Sequence, residues 1–159
     1  CSTNDKLYIG TYDGLGCLDI PTMDFVSTYE INRLLQGDVI YALYEDLHHN
    51  IWVGTSQGLK QLNPQTQKVR EYTISDGLPS NSISAIEGDA NGNLWISTNF
   101  GISRFNPGTQ TFVNFYASDG LQGNEFSKGV SFASTQGEFI FGSTCGVTYF
   151  NPGGITRHN

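Results

Sequence analysis

The sequence predicts an all-β fold, a partial β-propeller of four-stranded antiparallel blades, and three observations carry that prediction. Residues 39–63 and 82–106 repeat one phrase: Trp52 recurs as Trp95, Gly58 as Gly101 and Asn63-Pro64 as Asn106-Pro107, each 43 residues on. Ser75-Asp76-Gly77-Leu78 returns at the same spacing as Ser118-Asp119-Gly120-Leu121. Each period is filled by short apolar runs bounded by Gly, Asn and Asp, the pattern of brief strands joined by tight turns. Composition agrees: 13% aromatic, 14% charged and 19 glycines suit strands and turns better than a helical bundle or a disordered tail. A fixed period of this length with a strand-rich interior marks a radial β-repeat.

The elements follow in order. Residues 1–36 read as an incomplete blade holding its second to fourth strands, Leu7–Thr11, Cys17–Ile20 and Phe25–Ile31. Residues 37–79 form a whole blade, with strands Val39–Tyr44, Ile51–Thr55, Leu59–Leu62 and Val69–Ile74. Residues 80–122 form the next, with Ile83–Glu87, Leu94–Thr98, Ile102–Phe105 and Phe112–Tyr116. Residues 123–159 supply a second incomplete blade, strands one to three (Val130–Ala133, Phe139–Ser143 and Val147–Phe150), and a tail. Asn91-Gly92 is a strong hairpin dipeptide, and the glycines after the second strands fit turn positions needing positive φ. Asn63-Pro64 turns the chain because Asn bonds its own backbone and Pro fixes φ.

Such a sheet cannot bury both faces alone. Blades pack face to face, about four to eight to a closed ring. Trp52 and Trp95 are therefore expected to wedge between blades. Two whole and two partial blades imply a fragment, or a chain completed by the remaining blades of a parent protein or by another copy of itself.

The formal charge of −7 comes with no Lys/Arg cluster, which excludes a nucleic-acid surface. Lys60, Lys68 and Arg70 read as a solvated strand edge. The acidic excess disfavours anionic partners and permits neutral ones such as glycans. Cys1, Cys17 and Cys145 fit no zinc or redox spacing and read as free thiols, with Cys1 as a lipidated N-terminus the lesser alternative. No apolar run approaches the roughly 18 residues of a membrane helix, so this segment is expected to make no membrane contact.

The motifs also carry a resemblance. Glu45-Asp46…Asn50-Ile51-Trp52-Val53-Gly54-Thr55…Gly58-Leu59…Asn63-Pro64 returns as Gly88-Asp89…Asn93-Leu94-Trp95-Ile96-Ser97-Thr98…Gly101-Ile102…Asn106-Pro107. Together with the connectors 76–81 and 119–126, this resembles the two-component regulator propeller repeat across about residues 6–152. The resemblance implies the periplasmic sensor region of a Bacteroides-type hybrid two-component histidine kinase, responsive to oligosaccharides. The membrane helix, kinase and receiver parts that it implies are not in this sequence, so no catalysis is expected of this chain.

Other chemistry is thinly supported. His48-His49 lie in a turn without partners at ligand spacing, so no metal is expected. Asp89-Ala90-Asn91-Gly92 begins like a calcium loop but lacks the downstream bidentate Glu at the twelfth position. Glu45 with Asp46, and Glu87 with Asp89, recur with the repeat and read as turn partners, not as a catalytic pair flanking one substrate. No Ser-His-Asp set or phosphate loop is present, and no cofactor is implied. Binding is expected at the loops on one end of the wheel. These are the fourth-to-first links Leu78–Asn81 and Leu121–Phe126, with the turns Tyr12-Asp13, Ser56-Gln57, Asn99-Phe100 and Thr144-Cys145. Amides beside aromatics suit sugars, which points to Tyr12, Asn99, Phe100, Asn124 and Glu125. Two other readings stay open: a piece of a propeller enzyme acting on polysaccharide, and a purely structural interaction scaffold.

Overall fold

The structure, a computed structural model, describes residues 2–3, 5–35, 38–116, 126–133, 139–143 and 146–150. Its strands form four antiparallel sheets, each of consecutive strands. The first holds β1 (Ser2–Thr3), β2 (Lys6–Thr11), β3 (Gly14–Asp19) and β4 (Asp24–Phe25). The second holds β5 (Ile40–Glu45), β6 (Ile51–Thr55), β7 (Gly58–Asn63) and β8 (Lys68–Tyr72). The third holds β9 (Ile83–Gly88), β10 (Leu94–Thr98), β11 (Gly101–Asn106) and β12 (Thr111–Phe115). The fourth holds β13 (Phe126–Ala133), β14 (Phe139–Ser143) and β15 (Gly146–Phe150). The first strands β5, β9 and β13 lie against one another in turn, so the sheets share an inner edge as propeller blades do.

Three apolar clusters fill the three junctions. Tyr8, Leu15 and Cys17 of the first sheet meet Ile51, Val53 and Leu62 of the second. Trp52, Leu59 and Tyr72 meet Leu94, Ile96 and Phe105. Trp95, Ile102 and Phe115 meet Phe139 and Phe141. Both indoles are fully buried. Trp52 lies edge-on to Phe105, centroids 5.5 Å apart, and Trp95 stacks on Phe115 at 5.6 Å. Each Trp is thus a wedge between blades.

An indole can be buried only if its N–H finds an acceptor. Trp52 Nε1 donates to Asp46 Oδ2 at 2.9 Å, and Trp95 Nε1 to Asp89 Oδ2 at 2.9 Å. The same carboxylates close the preceding turns. Asp46 accepts from the backbone of His48 and Asn50 and from the Asn50 amide; Asp89 accepts from Asn91 and Asn93 likewise. A second bracket ends each second strand. Thr55 Oγ1 donates to the Gly58 carbonyl and accepts from Gln57 N–H, and Thr98 and Thr11 repeat this with Gly101 and Gly14.

The first blade departs from the expected strands. The run expected as Phe25–Ile31 extends only over Asp24–Phe25, and the chain then forms helix α1 (Tyr29–Leu35). Ile31 and Leu35, four apart, bury in the first junction. Asn32 replaces the missing strand partner of β3: its Oδ1 accepts from Leu15 N–H at 2.8 Å, and its Nδ2 donates to the Leu15 carbonyl at 3.1 Å. The two-residue β1, pairing Ser2 with Leu7, makes this sheet four-stranded where only the second to fourth strands were expected. In the second blade the expected Val69–Ile74 runs Lys68–Tyr72, and Ile74–Asp76 is a 3-10 turn.

Among the described residues, no second sheet covers one face of the first. Leu7, Ile9, Leu18 and Phe25 occupy the pairing positions of Ile51, Val53, Leu62 and Val69, which pack on the sheet before them. In the first sheet Phe25 is 78% exposed and Ile9 38%.

Two predictions follow from the turns. Gly58 has φ +132°, and a Cβ there would lie 2.7 Å from the Tyr72 carbonyl oxygen; Gly92 has φ +81° with open space around it. Gly58→Ala should destabilise by roughly 2–3 kcal/mol and Gly92→Ala by about 1 kcal/mol in urea unfolding. Burial pushes the Asp46 carboxyl up, but the bonds from Asn50, Trp52 and His48 outweigh it and hold it below its usual value. A folded value below the unfolded one stabilises fully above about pH 4 and less as pH falls through the folded value. Asp46→Asn should therefore lower the melting temperature most at pH 7, with the gap narrowing towards pH 3; a gap independent of pH would refute the bracket's charge dependence.

Candidate functional site

The fourth-to-first links and the second-to-third turns meet at one end of the blades. Asn99 N–H donates to the Ser82 carbonyl at 3.3 Å, joining a turn to a link. The link after β8 is held by its own hydrogen bonds. Thr73 N–H donates to Asp76 Oδ2 and Thr73 Oγ1 accepts from Ser75 N–H, a capping box. Asn81 Oδ1 accepts from Ile74 N–H at 2.9 Å, and Leu78 is buried. This is the local structure of the first Ser-Asp-Gly-Leu phrase, residues 75–78.

Among the described residues, two links are also clasped by the following sheet. In the third blade, Ser103 Oγ donates to Asn114 Oδ1 at 2.7 Å, and Asn114 Nδ2 donates to the Gly77 carbonyl at 2.8 Å. The second blade does the same with charges. Lys60, expected to be solvated, is only 2% exposed; its Nζ lies 2.7 Å from Asp38 Oδ2, in the first link, and 3.3 Å from Glu71 Oε2 on the neighbouring strand. Burial follows from its register: Lys60 shares a face with Leu62, against the first blade, and pairs with Glu71. Asp38 Oδ2 is buried without a donor in hydrogen-bond alignment, so the contact is held by charge. Lys68 and Arg70 are the exposed members of that basic stretch.

Around this clasp lies a cleft of about 410 Å³, lined by Asp38, Gln57, Lys60, Glu71, Thr73 and Asn81. Five of the six positions change one period on: Asp38 becomes Asn81, Gln57 Phe100, Lys60 Ser103, Glu71 Asn114 and Thr73 Tyr116. In the third blade, Phe100 and Tyr116 pack together with ring centroids 5.6 Å apart. The scaffold residues Asp46, Trp52, Thr55, Gly58 and Asn63 all recur unchanged. The cleft is therefore built from what the repeat does not conserve between its own copies.

Of the expected site residues, Tyr12 is 81% exposed beside Gly10, Thr11, Ile40 and Tyr41 on the first two blades, and Phe100 is 53% exposed on the third. Asn99 is exposed beside Phe100. The second-blade cleft lies between these two places. Asn124 and Glu125 lie outside the described residues, as do the turn 144–145 and residues 121–125 of the second link. Gln57 and Asn81 fall within the turn and link where binding was expected; Asp38, Lys60 and Glu71 were not singled out, and their signal was the mismatch between periods.

The recurring acids are taken up elsewhere. Asp46 and Asp89 serve their turns, and Glu45 contacts His49 at 2.6 Å. Glu87, pushed up by burial against the opposing bond from Ser131, accepts from that serine at 2.8 Å across the third junction. A crevice of about 270 Å³ at the opposite end is lined by Asp46, Asp89 and Asn106 among others, but these acceptors already hold turn backbone. Among the described residues no three His, Cys, Asp or Glu could hold a metal, and no helix is long and apolar enough to cross a membrane. Cys17 is a buried free thiol; Cys1 and Cys145 lie outside the described residues.

Removing Lys60 should expose the cost of its burial. Lys60→Met leaves Asp38 enclosed without its counter-ion, so unfolding free energy should fall by about 3 kcal/mol or more. Lys60→Met with Asp38→Asn should recover part of that loss; additive losses in urea unfolding would refute the pairing.

Residues 77–100 match the family model described as two component regulator propeller. No curated protein matches the chain. Among solved structures, the chain is similar to the extracellular domain described as that of the hybrid two component system BT3049 of B. thetaiotaomicron, with 29% identity and a TM-score of 0.81. The match covers 92% of this chain and 20% of that one. The BT4673 extracellular domain of the same organism matches at 22% identity and a TM-score of 0.72, over 94% of this chain and 20% of that one. PorZ of Porphyromonas gingivalis, described as a surface component of the type-IX secretion system, matches at 20% and 0.67, over 98% and 24%. The chain thus spans about a fifth of the length of the extracellular domains it matches.

Proposed function

We propose that this chain, which carries two-component regulator propeller repeats, is a non-catalytic part of the periplasmic sensor region of a hybrid two-component histidine kinase, and that its link end takes part in oligosaccharide recognition. The observation that carries the reading is the match to an extracellular sensor-system domain over 92% of the chain at 29% identity. The cleft supports the choice of end. It offers two amides, a hydroxyl and two carboxylates on a rigid frame, with exposed aromatics at Tyr12 and Phe100 on the flanking blades. Signalling in this reading is a binding-energy difference between two ways of docking the propeller on its neighbours.

The uncovered face of the first sheet has a partner in the same reading. Leu7, Ile9, Leu18 and Phe25 repeat a blade junction position for position, so their partner is a further blade of the parent protein or of a second copy. The enzyme reading loses ground on one point. The non-repeating carboxylates Asp38 and Glu71 both turn to one buried ammonium instead of facing each other across room for a sugar.

The test is calorimetric titration of the whole ectodomain with glycan pools, against variants Tyr12→Ala, Asn99→Ala, Gln57→Ala and Glu125→Ala. Loss of affinity of about fivefold or more in at least two of them, about 1 kcal/mol each, supports the link end. Unchanged affinity in all four removes ligand binding from this end and leaves the scaffold reading.

A further inference from the structure

We infer that the second-blade cleft is a charge filter: it admits an uncharged polyhydroxylated ligand and turns away carboxylated or sulfated ones, with Glu71 as the residue that sets the selection. The inference rests on the sugar-binding reading above and specifies which sugars that reading allows.

Lys60 brings a positive charge to the cleft, but its side chain is 2% exposed and is engaged by Asp38 and Glu71. Glu71 is 49% exposed. The accessible charge is therefore the carboxylate, and two carboxylates against one ammonium leave the cleft with an excess of one negative charge. The remaining lining is neutral and directional. Asn81 spends its Oδ1 on Ile74 N–H, and Thr73 Oγ1 accepts from Ser75 N–H while its own hydrogen is free to rotate. Gln57 is exposed at the second-to-third turn. Amide, hydroxyl and carboxylate together both donate to and accept from hydroxyl groups. An anionic substituent would instead meet Glu71 in a protein already carrying −7. A metal ion is not the occupant, because the Lys60 ammonium already stands between the two carboxylates.

The charge is not required to hold the link. The third blade clasps its link through neutral Ser103 and Asn114. A charged triad at the corresponding positions of the second blade is thus one of two ways to make the clasp, and it coincides with the blade that carries Gln57 and Thr73 where the third has the packed pair Phe100 and Tyr116.

The test titrates the whole ectodomain at low ionic strength with two probe sets, neutral xylo- and manno-oligosaccharides and anionic oligogalacturonides and chondroitin sulfate oligosaccharides. The neutral set should bind about tenfold or more tightly than the anionic set, the order expected for one like charge near a protein surface. Glu71→Gln, close in shape and on an exposed side chain, should raise the ratio of anionic to neutral affinity about tenfold. Asp24→Asn makes the same change in net charge on the first blade and should leave the ratio unchanged. Equal wild-type affinity for both sets, or a ratio unmoved by Glu71→Gln, overturns the filter while leaving sugar binding in place. Binding of neither set by the wild-type ectodomain overturns both the filter and the sugar reading.

Discussion

The structure depends on burying two indoles whose N–H groups must be satisfied. A tryptophan is the largest wedge available for spacing two sheets, but an unbonded indole N–H in the interior costs a desolvated donor. This chain meets the cost with a carboxylate from the turn just before the second strand. Asp46 reaches Trp52, and Asp89 reaches Trp95, each at 2.9 Å. The carboxylate is held by backbone and amide donors from the same turn, so the turn and the wedge specify each other. At the second and third junctions the buried indole then spaces the two sheets.

This explains why so much of the fold is legible in the sequence. The residues that hold the geometry act within six positions of one another, and they recur because every junction poses the same problem. Asp, Asn, Trp, Thr and Gly at fixed offsets are the visible trace of the bracket, the wedge and the turn. The helix Tyr29–Leu35 was not legible for the same reason. It occurs once, Ile31 and Leu35 are too few to separate a helical from a strand period, and its anchor Asn32 bonds a residue 17 positions away. Lys60 is a sharper case. A lysine on a strand beside other basic residues reads as solvated, and only the approach of Asp38 from the preceding link, 22 positions upstream, makes its burial tolerable.

The end of the blades that carries the candidate site was legible from its turns and links, but the clasp residues within it were legible only by subtraction. Reading for what recurs finds the scaffold, and the recurring acids prove to be scaffold too. Reading for what changes between periods finds Asp38, Gln57, Lys60, Glu71 and Thr73, which structure then gathers around one cleft. Tyr12, Asn99 and Phe100, chosen for residue type, lie on the blades to either side. Residue type alone cannot locate a site in a repeat, because each turn displays similar polar and aromatic groups at every blade.

The two clasps extend that reasoning to energetics. Ser103 with Asn114, and Lys60 with Glu71, perform one mechanical task at equivalent positions. The neutral version needs only hydrogen bonds. The charged version must desolvate an ammonium and part of a carboxylate, and such buried pairs seldom stabilise more than neutral packing would. Stability therefore gives no reason to prefer the charged clasp at the second blade. A charge at the mouth of a cleft does act on whatever approaches it, so the difference between the two clasps is better explained by selection of a ligand than by support of the fold.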